Sequence, residues 1–245
     1  MNAIVITGST RGLGAALAEH FAANGRDVVL NYRTPEAARK VSDRIAAAGA
    51  PGRILAIKAD VRNRDDVGQM FDRAFAELDG VNVLINCAGV NRDAPFLELT
   101  DEDWDTVVDT HLKGAFICSQ EFVKRLDGAS ANIINLGAAC GIQGRLNGAN
   151  FCSSKGGLLA LTKCMARELA PQIRVNCLTP SAVDTEEVRE RYALDTTEGL
   201  GKVLAGIPLN RLGAHADVTH MVDSILGAHF TTGANFFVNG GEFMQ

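Results

Sequence analysis

A glycine-rich segment close to the start of the chain has the composition of a phosphate-binding turn. It directly follows the apolar run at residues 3–6 and consists of Thr7, Gly8, Ser9, Thr10, Arg11, Gly12, Leu13 and Gly14. Glycine permits a tight turn, and the backbone N–H groups of a helix start can then approach a pyrophosphate. In this strand–turn–helix context, residues 8–14 predict a dinucleotide site; the alternative is a turn used only for packing.

The end of the second apolar run bears on which dinucleotide would bind. An NAD site usually places a carboxylate there, which binds the ribose 2′-hydroxyl and repels a 2′-phosphate. This chain has Asn31 at that position, followed by Tyr32 and Arg33, and the glycine-rich segment adds Arg11. Because a guanidinium binds phosphate through two hydrogen bonds, the arginines favour NADP(H) over NAD(H). The alternative is that both are solvated surface charges.

Cysteines are the other residues with intrinsic reactivity, and they stand at positions 87, 118, 140, 152, 164 and 177. They form no CxxC pair and lie in apolar segments, so we interpret them as reduced thiols of a cytoplasmic protein. No spacing of His, Cys, Asp and Glu suggests a metal site.

The composition is that of an ordinary globular protein. The 245 residues are 47% hydrophobic and 22% charged, with a formal net charge of −5. This charge gives no reason to expect nucleic acid or an anionic membrane as a partner. The first residues carry neither a basic region nor a long apolar run, and no later stretch approaches the roughly 18 apolar residues of a membrane span. We therefore expect no signal peptide and no membrane segment.

Apolar strand-like runs alternate with longer segments of helical period along the whole chain. The predicted strands are 3–6, 27–31, 54–58, 81–85, 131–136, 173–178 and 236–238, and the predicted helices are 12–24, 36–48, 64–78, 101–126 and 151–169. This alternation is typical of a parallel sheet covered on both faces. No linker or repeat interrupts it. The sequence predicts one doubly wound α/β domain over residues 1–245, with three α/β/α layers.

The G-x3-G-x-G spacing at Gly8, Gly12 and Gly14 resembles that of the short-chain dehydrogenase/reductase family, whose fold is of the Rossmann type. Further motifs agree, namely Asp60-Val61, Asn86-Cys87-Ala88-Gly89, Arg174-Val175-Asn176, Thr179-Pro180, Pro208 to Gly213, and Thr232 to Gly241. The last of these are similar to 3-oxoacyl-thioester reductases. The resemblance implies that Asp60 and Val61 contact adenine, that Asn86, Ala88 and Gly89 border the cofactor, and that Thr185 contacts the carboxamide.

The family's catalytic set, as the resemblance implies, is an Asn, a Ser, a Tyr and a Lys. The corresponding positions here are His111, Ala138, Phe151 and Lys155. Phenylalanine offers no proton to a developing alkoxide. A general acid contributes about 10²–10⁴ in rate and one oxyanion donor about 10²–10³, in effects that overlap. Tyrosine-dependent carbonyl reduction is therefore not expected, and Lys155 is expected to hold the nicotinamide ribose.

Three functions remain open. The first is an NADP(H)-binding pseudoenzyme, a regulatory subunit that forms a homodimer, a homotetramer or a heteromer with an active homologue. The second is an unconventional NADPH-dependent reductase of a 3-oxoacyl thioester or similar ketone, with His111 or Lys155 as acid. The third is a non-redox dehydratase or cyclase of a polyketide-like ligand. Residues 186–204 are expected to form a substrate lid. Cys140 and Cys152 flank the lost positions and are interpreted as packing residues, with the Cys152 thiol directed away from Phe151.

Overall fold

The strands of the computed structural model, which describes residues 3–244, coincide with the apolar runs of the sequence. They are β1 (Ala3–Ile6), β2 (Val28–Tyr32), β3 (Ile54–Lys58), β4 (Val81–Asn86), β5 (Ala131–Leu136), β6 (Ile173–Pro180) and β7 (Asn235–Val238). Uninterrupted apolar runs suit strands that are buried on both faces. In β1, for example, all four residues are buried.

All seven strands pair in parallel, in the order β3-β2-β1-β4-β5-β6-β7. The chain starts at β1, runs outward to β3, and then returns to add β4 on the other side of β1. The strand order thus reverses between β1 and β4. In open α/β sheets, a crevice forms at the carboxyl ends of the strands at such a switch point. The glycine-rich segment after β1 lies at this crevice.

Helices cover both faces of the sheet. They are α1 (Gly12–Ala23), α2 (Pro35–Ala47), α3 (Arg64–Glu77), α4 (Asp101–Val108), α5 (Gly114–Val123), α6 (Cys140–Gln143), α7 (Ala149–Leu169), α8 (Glu186–Tyr192), α9 (Thr197–Leu204) and α10 (His215–Gly227). Two separate apolar clusters result: one contains Phe71 and Phe122 and the other contains Leu17 and Phe21. The predicted three-layer, doubly wound fold in a single domain is confirmed.

The prediction of one continuous helix over residues 101–126 is wrong in two respects, namely its continuity and its C-terminal end. A π-helical turn, Asp109–Lys113, separates α4 from α5, and α5 ends at Val123. π turns widen a helix by one residue and occur frequently at functional sites. His111 lies in the middle of this turn. The periodicity of the apolar residues could not predict this local widening of the helix.

Four helices, α6, α8, α9 and α10, were not predicted from the sequence. The short α6 begins four residues after the end of β5, and α10 packs against α1. The expected lid, residues 186–204, consists of α8 and α9 with a short connection. Ala193 ends α8 in the left-handed conformation, with φ of 47°.

Candidate functional site

The turn after β1 has a backbone that only glycine fits. Gly8 has a φ of +63°, and a Cβ there would lie 2.7 Å from the Cα of Ala88. A Cβ on Gly14 would collide with the carbonyl oxygen of Gly8. The turn therefore closes tightly against the segment after β4 and begins α1 with its N–H groups directed into the crevice. This is the cradle that a pyrophosphate needs.

Thr7 joins the first turn to the segment that follows β4. Its Oγ1 accepts hydrogen bonds from the backbone N–H groups of Cys87 and Ala88, both at 3.0 Å. Thr7 was not singled out from the sequence as a site residue, although its position before Gly8 was noted. The hydroxyl fixes the relative position of two loops that border the crevice.

Asn31 has a structural role in the turn. It is buried, its Oδ1 accepts from the backbone N–H of Gly8 at 3.0 Å, and its Nδ2 donates to the carbonyl of Ala59 at 3.0 Å. Its amide is thus engaged by the protein, which leaves Arg33, exposed just beyond β2, as the charged residue next to the crevice on this side. Arg11, also exposed, reaches the carbonyl of Gly89 at 3.4 Å.

The segment after β3 presents Asp60 and Val61 at the crevice. Arg62 makes a bidentate ion pair with Asp60, with an Nη2–Oδ2 distance of 2.7 Å. These hydrogen bonds hold the pKa of the Asp60 carboxyl below its usual value, and the charges of Arg62 and Arg33 act in the same direction. Asp60 is therefore ionised and remains an acceptor. Val61 is buried against Gly114.

An amide network beneath the crevice joins the central strands. Asn86 at the end of β4 donates to Asn135 Oδ1 of β5 at 2.8 Å and to Ser119 Oγ of α5 at 3.1 Å. Asn135 in turn donates to Thr162 Oγ1 of α7 at 2.9 Å. The resemblance pointed to Asn86, whereas Asn135, Ser119 and Thr162 were missed because their pairing spans three separate elements.

Phe151, in the first turn of α7, stands at the centre of the candidate catalytic positions. Its ring contacts His111 edge-on, with 5.0 Å between centroids, and the Lys155 Nζ lies 5.6 Å from its centroid. Ala138 follows β5, and its carbonyl accepts from Gly141 N at 2.9 Å. The structure thus gathers His111, Phe151 and Lys155 around the start of α7, and the aromatic ring there carries no hydroxyl.

His111 is buried and bound to the backbone. Its Nε2 lies 2.8 Å from the carbonyl oxygen and 3.1 Å from the nitrogen of Val90. Burial and the nearby charge of Lys155 lower the pKa of His111 to about 3, against a weaker opposite effect of the Val90 hydrogen bond. A Cβ on Gly89 would lie 2.5 Å from the imidazole Cε1, so the ring fills the space beside that glycine.

Lys155 is buried one helical turn after Phe151. Its Nζ donates to the carbonyl of Leu136, the last residue of β5, at 2.5 Å. Burial lowers the pKa of the ammonium, although neighbouring thiols act against this. A small cavity of about 10 Å³, the size of one water molecule, adjoins it and is also lined by Thr7, Asn86 and His111. Lys155 therefore faces the crevice floor, between the two halves of the site.

Arg145 was missed from the sequence and is the largest addition to the site. Its guanidinium lies 4.9 Å from the centroid of the Phe151 ring and forms a bidentate ion pair with Asp93, at 2.6 and 2.8 Å. A Cβ on Gly148 would lie 2.8 Å from Arg145 Nε, so Gly148 makes room for this arrangement. Arg145 is the single charged residue of segment 138–150, which was the signal available in the sequence.

The lid helix α8 is tied to the same network. Arg191 pairs with Glu187 at 2.5 Å and lies 3.7 Å from Asp93, while Asn91 Nδ2 donates to Glu187 at 3.0 Å. At the start of α8, Thr185 caps the helix by accepting from Val188 N at 3.3 Å. In the predicted lid segment, α8 therefore contacts the loop after β4.

Thr185 also faces the glycine-rich turn. A Cβ on Gly12 would lie 3.8 Å from its methyl group. Ser181, which replaces the glycine of the family's turn after β6, has an ordinary backbone in which its N–H donates to Val238 O at 3.1 Å. Serine at this position consequently leaves the turn intact.

Two further searches cover the described part of the chain. Within residues 3–244, no group of three or more His, Cys, Asp or Glu side chains is arranged to hold a metal ion. Over the same residues, no helix has both the length and the apolarity that crossing a bilayer requires.

The fold and the crevice define a doubly wound α/β protein of the dinucleotide-binding class, and comparisons with known proteins give the family. The short chain dehydrogenase profile matches residues 2–194. The chain is 34% identical over 245 residues to the 3-oxoacyl-[acyl-carrier-protein] reductase FabG of Staphylococcus aureus. The matched region covers 98% of this chain and 97% of the relative. It is 35% identical to the 3-oxoacyl-[acyl-carrier-protein] reductase of Synechocystis sp., over 98% of this chain and 96% of the relative.

Solved structures agree. A short-chain dehydrogenase/reductase from Brucella melitensis, described as a glucose/ribitol dehydrogenase, superposes with a TM-score of 0.89 at 30% identity, over 100% of this chain and 97% of that one. A gluconate 5-dehydrogenase from Burkholderia cenocepacia, solved in complex with NADP and tartrate, has a TM-score of 0.89 at 26% identity, over 98% of this chain and 94% of that one. The chain belongs to the short-chain dehydrogenase/reductase family.

Proposed function

We propose that this protein is an NADP(H)-binding member of its family that has lost carbonyl reduction and acts as a non-catalytic subunit. The observation that carries the proposal is Phe151. Its ring stands one helical turn before Lys155, where the family resemblance places the tyrosine acid, and carries no hydroxyl. Ala138 supplies none either. A carbonyl held above this ring would receive no proton from residue 151 and no hydrogen bond from residue 138.

The nucleotide side of the crevice supports retained cofactor binding. At Gly12 an added Cβ would meet no atom closer than 3.8 Å, and no side chain caps the N–H groups of the first turn of α1. Residues 8–14 would hold the pyrophosphate, and Asp60 and Val61 would face the adenine. Lys155 would hold the nicotinamide ribose, with Asn86, Ala88 and Gly89 along the wall and Thr185 at the carboxamide. A nicotinamide cofactor supplies hydride chemistry when bound, and these residues bind and orient it.

NADP(H) is the favoured cofactor. The amide of Asn31 is hydrogen-bonded to Gly8 and Ala59. The end of β2 therefore carries no carboxylate that would repel a 2′-phosphate. Arg33 stands exposed immediately beyond it, and Arg11 lies at the start of α1. The 3-oxoacyl reductase relatives and the neighbour solved with NADP are consistent with this choice.

The surroundings of His111 disfavour the alternative in which it acts as the acid. A group whose pKa is near 3 is neutral at physiological pH, and its Nε2 is occupied by the Val90 backbone. An acid must carry its proton at the working pH and reach the carbonyl. Lys155 is likewise directed to the Leu136 carbonyl. The geometry therefore supports the non-catalytic function over a histidine- or lysine-dependent reductase of a 3-oxoacyl thioester.

A self-associating subunit is part of the proposal. The resemblance assigns oligomer formation to two long helices, predicted at residues 101–126 and 151–169. Trp104 and Phe116 on the first of these segments are partly exposed, at 37% and 41%. A second copy would cover them. Light scattering after gel filtration should give a dimer or tetramer, and a monomer for this chain alone would leave only the heteromer with an active homologue.

The test of the main proposal restores both hydroxyls. The double variant Ala138→Ser/Phe151→Tyr and the unaltered protein are assayed for NADPH oxidation with a panel of 3-oxoacyl thioesters. We expect a gain of about 10²–10⁴-fold in the variant, because a general acid contributes that much. Binding of NADPH, measured by fluorescence titration, should be equal in both proteins.

The outcomes separate the three functions. Turnover by the unaltered protein at the rate of the restored variant refutes the non-catalytic function, and its loss in His111→Ala would assign it to the histidine. Loss of a thioester without a change in NADPH absorbance would establish a dehydratase or cyclase. Phe151→Leu is the matched control, since it changes the ring without adding a hydroxyl.

A further inference from the structure

The lid segment, residues 186–204, has little apolar anchorage. Neither α8 nor α9 contains a fully buried residue, and Leu194, in the connection between the two helices, is the one buried residue of the segment. A segment with few buried apolar contacts opens locally at a low free-energy cost. The position of α8 therefore depends on its polar contacts with the rest of the protein.

Two polar contacts join α8 to the loop after β4. Arg191 of α8 lies 3.7 Å from Asp93 Oδ2, and Asn91 Nδ2 donates to Glu187 Oε1 at 3.0 Å. Arg191 and Glu187 also pair with each other at 2.5 Å, one helical turn apart, so both contacts come from one face of α8. Each charge on this face of the helix thus has a partner in the loop.

The same two loop residues hold the guanidinium that covers Phe151. Asp93 accepts from Arg145 at 2.6 and 2.8 Å, and Arg145 Nη2 lies 3.4 Å from Asn91 Oδ1. The Arg145 guanidinium is 4.9 Å from the centroid of the Phe151 ring. Asp93 therefore stands between two guanidiniums, one on the lid and one over the ring, and links the position of α8 to that of Arg145.

These ion pairs are better shielded from water than ordinary surface pairs. The side chains of Asp93, Arg145 and Arg191 are 26%, 19% and 20% exposed, whereas the Lys202–Glu198 pair on α9 is 75% and 78% exposed. Salt screens partly buried charges much less than exposed ones, and the exposed pair contributes little. The shielded pairs at Asp93 are therefore the contacts that can hold the lid in place.

We propose that Asn91, Asp93, Arg145, Glu187 and Arg191 form a polar latch that holds α8 closed at the carbonyl side of the crevice, the part around the Phe151 ring. When the latch opens, α8 leaves the loop after β4, and the ring becomes accessible from the lid side. A ligand that approaches the ring from this side must first break the contacts at Asp93 and Glu187. The inference is independent of whether the protein catalyses a reaction.

Hydrogen–deuterium exchange of the intact protein, measured by mass spectrometry, reports the opening. Asp93→Ala breaks the latch from the loop, and Glu187→Ala breaks it from the lid. We expect the amides of α8 to exchange about tenfold faster in both variants, because each loses a hydrogen bond that involves a charged group. Residues 144–148 should also exchange faster in Asp93→Ala, since Arg145 has lost its carboxylate.

Glu186→Ala is the matched control. It removes an exposed carboxylate from the same helical turn but leaves the latch intact, so α8 should exchange as in the unaltered protein. The amides of α2 report global stability and should exchange at one rate in all proteins.

The proposal is overturned if α8 exchanges equally fast in Glu187→Ala and in the unaltered protein. It is also overturned if Glu186→Ala accelerates α8 as much as Glu187→Ala, because the effect would then come from the helix dipole. If circular dichroism shows that Asp93→Ala does not fold, or if α2 exchanges faster in it, the comparison of Glu187→Ala with Glu186→Ala decides alone.

Discussion

The two sides of the crevice differ in the kind of contact that holds their residues in place. On the nucleotide side, the turn is held by close backbone contacts at Gly8 and Gly14 and by hydrogen bonds of Thr7 and Asn31. On the carbonyl side, Phe151 packs among His111, Lys155 and Arg145, and neither Phe151 nor Ala138 carries a hydroxyl. The proposed loss of carbonyl reduction therefore requires no loss of the surrounding architecture.

The reason lies in what each side requires. The glycine turn is needed for the fold, because a Cβ at Gly8 or Gly14 meets backbone atoms that cannot move. The Phe151 ring packs against His111, Lys155 and Arg145, and none of these contacts requires a hydroxyl on the ring. A side chain at Gly8 or Gly14 is therefore incompatible with the fold, whereas a ring without a hydroxyl at residue 151 is compatible with it.

The largest expected effect comes from breaking the nucleotide side. Gly14→Ala should destabilise the fold by about 3 kcal/mol, the upper part of the range for overpacking, since the new methyl group meets the Gly8 carbonyl. NADPH binding should be abolished. Thermal unfolding and fluorescence titration measure both. Gly201→Ala, with nothing within 4 Å of the added carbon, is the control: NADPH binding should be unchanged, and stability should not fall, because alanine suits the interior of α9 at least as well as glycine. Equal stability of the two variants would contradict the steric argument.

A pH experiment sharpens the description of the carbonyl side. His111 has a pKa of about 3 in the folded protein against 6.5 for the free side chain. Between these values the unfolded chain binds a proton that the folded chain does not, so stability falls as the pH drops below 6.5. The loss should reach about 2 kcal/mol at pH 5.

Urea unfolding at pH 5 and pH 7.5 measures this loss. His111→Asn should remove that part of the pH dependence, whereas the exposed His229→Asn should not. If His111→Asn keeps the full acid sensitivity, then His111 does not carry the effect and its neutral state is not established.

The smallest expected effect concerns cofactor choice. Arg33→Ala should weaken NADPH binding about tenfold, or about 1.4 kcal/mol, with little change for NADH, because only the former carries a 2′-phosphate. Titration of both cofactors at constant salt measures the ratio. Arg39→Ala, a nearby charge change on α2, is the control. An unchanged NADPH affinity in Arg33→Ala would reverse the assignment of NADP(H).

Most of the architecture could be predicted because it depends on patterns local to the chain. The apolar runs specify the strands, as at residues 131–136, where the predicted and observed bounds coincide. The ends and interruptions of helices were harder to predict. The π turn around His111, for example, depends on the contacts of His111 with Val90 and Phe151 rather than on the periodicity of apolar residues. The α10 helix, which packs against α1, was also missed.

The site divides in the same manner. Motif spacing pointed to Gly8, Asn86, Phe151 and Lys155, whose neighbours in sequence identify them. Arg145 could not be found in this way, because its importance comes from Asp93 and Phe151, which approach it only in the folded chain.

The sequence by itself determined the alternation of strands and helices, the glycine turn and the absence of two hydroxyls, because each is a property of residue types and their order. Only the tertiary structure decided that His111 is held by Val90 and that Arg145 lies over Phe151. These contacts join residues whose proximity depends on how α6, α7 and the loop after β4 pack over the sheet, and burial then sets the charge of each group.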